Sequence, residues 1–139
     1  AMFFWTDDVL AEKAIELANN GVSVMGVMDQ LGDGGTGSDT DAMCAGGVTI
    51  GVENFAGKLH HKFAVIDVHG DNPRVILGSY NWTNAGAYQN DENTLIIHDA
   101  ALAQAYYAEW QLLWEAIDPE RICNPPLKSH QLYLPFITR

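Results

Sequence analysis

The chain has little positive charge. Its 139 residues hold seven Lys and Arg against 18 Asp and Glu, for a formal net charge of −11. Lys and Arg that neutralise phosphates supply most nucleic-acid affinity, so the composition counts against a broad nucleic-acid footprint. Cysteine is also scarce. Cys44 and Cys123 stand far apart, with no CxxC or zinc spacing around them. Two buried free thiols are the expectation. The alternative is a disulfide tying the central loop to the C-terminal tail, which would imply an oxidising compartment. No apolar run reaches the roughly eighteen residues of a membrane span, and no charged-then-apolar leader opens the chain. Repeats and low-complexity stretches are lacking too. The opening Ala1-Met2-Phe3-Phe4-Trp5 already reads as a core strand, so a fragment or a processed form is expected.

What is present fits one domain with an ordinary apolar core. Met2 to Trp5 reads as a short buried strand. Thr6 is placed to cap the next helix, with Asp7 and Asp8 in its first turn. Val9, Leu10, Ala14, Leu17 and Ala18 give that helix an apolar face, and Asn19-Asn20-Gly21 ends it. Val22 to Met28 follows as a strand apolar enough to be covered on both faces.

Asp29 to Gly47 is rich in Gly and Asp. It lacks the order of a phosphate loop or an EF-hand, and it is expected to be a surface loop with one helical turn near Asp39 to Cys44. Val48–Val52, Phe63–Ile66, Arg74–Ser79 and Thr94–His98 read as further strands, with a partly helical connection over Ala85–Asp91. Asp99 caps a long helix, Ala100 to Ile117. Leu102, Tyr106, Leu113 and Ile117 form its buried stripe, widened by Tyr107, Trp110 and Trp114, and this stripe is read as core or subunit interface. The domain is expected to span 1–118, with an extended tail over 119–139. Alternation of strands and helices argues for an α/β fold.

Two stretches carry the chemistry. The first is His60-His61-Lys62, followed by Phe63-Ala64-Val65-Ile66 and Asp67. If extended, His60 and Lys62 share one face while His61 points away. An imidazole beside a fixed ammonium suits attack on phosphorus, because the Lys neutralises phosphate oxygens while the His attacks or moves a proton. The second stretch is Gly78-Ser79-Tyr80-Asn81, then Asn90-Asp91-Glu92-Asn93. Ser79 and Asn81, two apart, offer hydrogen bonds to an anion. His60, His61 and His69 could gather a metal on paper, but adjacent histidines on a strand diverge and no metal is expected.

At these residues the sequence resembles the phospholipase D superfamily. That signature is His-x-Lys-x4-Asp, then Gly-Ser-x-Asn, then Asn-x-Glu-Asn. The single-motif branch is the most similar, typified by the bacterial endonuclease Nuc and by mitochondrial cardiolipin hydrolase. The likeness covers roughly Met2 to Ile117. It implies a mixed β-sheet flanked by helices on both faces, and this chain is expected to lack the first strand and helix that family members carry before this point.

It also implies His60 as nucleophile through a covalent phosphohistidine, and Lys62, Ser79 and Asn81 as phosphate-binding groups. Glu92 would be the carboxylate that orients the imidazole, and Asp67 a structural support. Neither metal nor other cofactor is implied. A second catalytic histidine is needed, from a homodimer that sets His60 against its counterpart or from another motif-bearing half of a longer protein.

Many lipid-acting members carry a basic residue after Gly-Ser-x-Asn. Here Thr83, Asn84, Ala85 and Gly86 stand there. That favours a nuclease acting on DNA or RNA, with a phospholipase or phosphatidyl transferase as one alternative and a non-catalytic half-domain as another. An exported setting is the expected localisation.

Overall fold

The computed structural model describes residues 1–124. In chain order the elements are β1 (Trp5–Thr6), α1 (Asp8–Asn19), β2 (Met25–Met28), α2 (Gln30–Asp33), α3 (Thr40–Ala45) and β3 (Thr49–Val52). Then come β4 (Phe63–Ile66), β5 (Arg74–Gly78), β6 (Trp82–Thr83), α4 (Asn84–Tyr88), β7 (Thr94–Ile97) and α5 (Ala100–Glu115). A 3₁₀ turn (Pro119–Arg121) and β8 (Ile122–Cys123) close the described chain.

The strands are of mixed sense. β2 and β3 run parallel with Met28 opposite Val52, and β8 adds antiparallel to β3. β4, β5 and β7 form an antiparallel meander, with Ala64 opposite Ile76 and Ile76 opposite Ile96. The N-terminal segment joins the two groups, because Met2 bridges Met28 on one side and Lys62 on the other. β1 pairs with β6, which draws the Gly78–Asn81 stretch toward the N-terminal segment.

Helices cover both faces, and the alternation of strand side chains shows how. Met28 and Ile50 point into a cluster with Met2, Ala11, Ala14 and Met43, under α1 and α3. Val27, one residue earlier, points into a second cluster with Leu59 and Ile117, against Trp110, Leu113 and Trp114 of α5. A side chain at Gly51 would collide with Ile117, 2.6 Å away, so the small residue is what lets α5 lie close on β3. α5 also meets the meander, where Phe63 and Tyr106 pack edge to face at 5.0 Å.

Several expectations are corrected. Asp7, not Thr6, caps α1, accepting from Leu10 N at 3.1 Å. The buried stripe of α1 is Ala11, Ala14, Ile15 and Ala18. Val9 and Leu17, expected on it, are exposed. The alanines and the contact of Ile15 with Gly46 turn the helix so that its small face meets α3. β2 begins only at Met25.

The two cysteines are not free thiols: Cys44 and Cys123 form a disulfide across 79 residues. Pairing of β8 with β3 brings Cys123 beside the end of α3. The same pairing means that the chain past 118 continues into the sheet before residue 124. The remainder of the tail expected over 119–139, residues 125–139, lies outside the described residues.

Candidate active site

The His-x-Lys stretch is set by the strand that follows it. Phe63–Ile66 is anchored by Phe63 in the core, and the preceding residues run past the N-terminal segment, where His61 O accepts from Phe3 N at 2.9 Å. His60 itself lies outside regular structure and is exposed. The side chains still converge as extended backbone would bring them. Lys62 Nζ stands 3.4 Å from both ring nitrogens of His60 and donates to His60 O at 3.0 Å. His61 turns the other way, edge-on to Phe63 and 3.7 Å from Glu109 of α5. Burial lowers its pKa, and Glu109 opposes that shift.

Phe3 was not picked out by sequence reasoning. Its ring lies 4.8 Å from the imidazole of His60, centroid to centroid. Lys62 Nζ sits 5.2 Å and Lys58 Nζ 5.9 Å from the same ring. The buried aromatic floor thus carries two ammonium groups and the imidazole, a cation–π arrangement. An apolar run at the chain start carries no signal that one of its rings faces a site.

The Gly-Ser-x-Asn and Asn-x-Glu-Asn stretches knot together at the adjoining ends of β5 and β7. Ser79 N donates to Asn93 Oδ1 at 2.9 Å, and Asn93 N donates back to Ser79 Oγ at 3.1 Å. Ser79 Oγ in turn donates to Glu92 Oε2. Asn90 Nδ2 donates to Glu92 Oε1 at 3.0 Å. These hydrogen bonds hold the Glu92 carboxyl below its ordinary pKa, Ser79 contributing most and Lys62 adding charge attraction. Desolvation lowers the pKa of Lys62, while Glu92 raises it. The two stretches therefore meet electrostatically through Lys62 and Glu92. Asn81 presents a buried amide oxygen without a partner among the described residues.

Glu92 and Asp67 are each held by neighbours in the chain. Among the described residues Glu92 makes no hydrogen bond to His60; its oxygens accept from Ser79 and Asn90. Asp67 stands at the end of β4 with φ of 56°, and its carboxylate accepts from Asn72 N at 2.8 Å. It closes the β4–β5 turn and touches none of the groups around His60.

A mixed sheet between helices, with a His–Lys pair facing a Ser–Glu–Asn knot, defines a phospholipase D-like domain. The family model described as "Cardiolipin synthase, PLD-like domain" matches residues 1–114, and the chain belongs to that family. It is 33% identical over 118 residues to the mitochondrial cardiolipin hydrolase of Xenopus tropicalis, covering 85% of this chain and 54% of that protein. The chain thus spans about half the length of the curated relatives it matches. Among solved structures, the phospholipase D family member Nuc from Salmonella typhimurium superposes with a TM-score of 0.76 at 23% identity, over 84% of this chain and 76% of that one. NucT from Helicobacter pylori gives 0.74 at 19% identity, over 84% and 77%.

Proposed function

We propose that this domain hydrolyses phosphodiester bonds without a metal, through a covalent phosphohistidine at His60. The observation that carries the reading is the convergence of Lys62 Nζ on the His60 ring at 3.4 Å, beside the Ser79–Glu92 knot. A phosphodiester repels nucleophiles by its own charge, so the site must supply compensating charge and directed donors. Lys62 supplies the charge. Ser79 and Asn81 supply the donors, with the substrate oxygen displacing Glu92 as the acceptor from Ser79. Glu92 keeps Lys62 charged against the cost of its desolvation.

In the first step a ring nitrogen of His60 bonds to phosphorus and the phosphorus–oxygen bond to the leaving group breaks. The leaving oxygen takes a proton from a second imidazole. That imidazole then accepts a proton from water, whose oxygen attacks phosphorus and releases His60. The second imidazole is His60 of another motif copy, brought face to face in a homodimer. His69 and His98, the other histidines remote from the motif among the described residues, serve elsewhere: His69 packs on Tyr107 and His98 bonds Asn72.

Nucleic acid is the first substrate we assign, because no basic residue follows Gly-Ser-x-Asn and Lys58 adds positive charge beside the site. Phospholipid is the second reading, supported by the relatives named for cardiolipin hydrolysis and by the net charge of −11. The test is turnover of a chromogenic phosphodiester in EDTA by wild type and His60→Ala, with mass measured by light scattering. Turnover by a dimer, abolished in the variant, is expected. A turnover-silent dimer, or undiminished activity in His60→Ala, would sink the reading. Single-stranded DNA and cardiolipin vesicles, assayed side by side, separate the two substrates.

A further inference from the structure

Asp29 and Glu53 are both fully buried. Each directly follows a strand. Met28 lies opposite Val52 in the parallel β2–β3 pair, so the next residue of each strand carries its carboxyl to the same end of the sheet. Register and burial thus make the two carboxyls neighbours, near enough for Asp29 to raise the pKa of Glu53. Among the described residues no side-chain cation caps the pair: the guanidinium of Arg121 goes instead to the backbone, with Nε on Val52 O at 2.8 Å and Nη2 on Glu53 O at 3.5 Å. Two adjacent carboxylates cannot both ionise away from water without a counter-ion, so such a pair holds one proton between them.

The backbone donors are divided unequally between the two acids. Asp29 Oδ1 accepts from Leu31 N at 2.8 Å and Oδ2 accepts from Leu59 N at 2.7 Å. Backbone N–H donors favour the charged form of the acid they reach. Glu53 Oε2 accepts from Phe55 N at 2.5 Å, while buried Oε1 has no hydrogen-bond partner among the described residues. Burial raises the pKa of Glu53, the backbone hydrogen bonds from Phe55 and Gln30 oppose the shift, and the neighbouring Asp29 adds to it. The segment from Phe55 to Leu59 is therefore held by the pair at both ends. Leu59 is buried beside Val27 and Ile117, and His60 is the next residue.

We propose that Asp29 and Glu53 form a proton-sharing acid pair that positions His60, by fixing the Leu59 backbone from which the imidazole projects. This rests on the reading of His60 as nucleophile. Both acids are positioning residues and touch no substrate.

Three versions of the full chain test it: wild type, Glu53→Gln and Asp29→Asn. Gln keeps a donor toward Asp29, so Glu53→Gln should retain wild-type kcat, KM and Leu59 amide exchange. Asn at position 29 turns an NH₂ group toward one of the two backbone donors. Loss of a charge-assisted hydrogen bond should speed Leu59 amide exchange about 10–100-fold. It should also lower kcat about tenfold or more with KM nearly unchanged, because the misplacement is felt in the reacting geometry.

Wild-type kcat in a folded Asp29→Asn protein, or equal damage from Glu53→Gln, would overturn the proposal. If Asp29→Asn does not fold, carboxyl carbon NMR of the wild type decides. One of the two carboxyls should stay protonated at neutral pH, and two ionised carboxyls there would refute the pair. If the wild type cleaves no phosphodiester, the proposed function fails, while the exchange and carboxyl readouts still decide whether the pair holds Leu59.

Discussion

At the scale of single residues, the site is a balance of buried and exposed charge. Lys62 lies over Phe3 and beside His60, and Glu92 offsets the desolvation of its ammonium. A different acid, Asp39, is buried at the start of α3 with Oδ2 unpartnered. Burial raises its pKa from 3.8 to about 6, and the nearby Asp8 and Asp7 add to the shift. The folded state thus binds this proton more tightly than the unfolded chain does. Its contribution to stability is complete below pH 3.8 and is lost as pH climbs through about 6. Asp39→Asn should therefore unfold at a higher temperature than wild type at pH 7 and at a similar one at pH 3.5. Thermal denaturation at the two pH values checks this, and an equal or lower melting point at pH 7 would contradict it.

At the scale of elements, the β5–β7 contact builds the site. A side chain added at Gly78 would meet Asn93 O at 2.0 Å, so only glycine lets β5 and β7 close enough for Ser79 and Asn93 to exchange hydrogen bonds. Gly78→Ala should cost about 1–3 kcal/mol of stability, as overpacking does. It should also cut activity by loosening the Ser79–Glu92 knot. Urea unfolding and kcat measured together test it, and loss of stability with full activity would separate the glycine from the site. β5, β7 and α5 were legible from apolar runs and from Asp99 as cap, which accepts from Leu102 N at 2.8 Å. The stripe of α1 was not, because Val9 and Leu17 suit a helical face as well as Ala11 and Ile15 do until α3 lies against it.

At the scale of the whole molecule, the Cys44–Cys123 bond ties the end of α3 to β8 across the sheet edge. Asn124 reinforces the link, donating from Nδ2 to Val48 O at 3.1 Å. Closing so long a loop limits the unfolded chain, and its reduction should cost about 2–5 kcal/mol. Thiol titration in denaturant should find no reactive thiol before reduction and both afterwards. Reactive thiols in the untreated protein would refute the bond. Denaturant midpoints with and without reductant give the size of the effect.

The sequence by itself determined the family, through the His60–Asp67, Gly78–Asn81 and Asn90–Asn93 stretches that resemble its signature. Spacing along extended backbone made the shared faces of His60 with Lys62 and of Ser79 with Asn81 readable, while Glu92 entered the proposed site through the resemblance. The order of strands and helices is readable because local periodicity records burial. Tertiary structure decided what depends on meetings between distant segments. It set Phe3 beneath His60, joined Cys44 to Cys123, gave the oxygens of Glu92 to Ser79 and Asn90, and set Asp29 beside Glu53 under Leu59. The physical reason is that such pairings are fixed by strand register and by helices packing across the sheet, which no local pattern encodes.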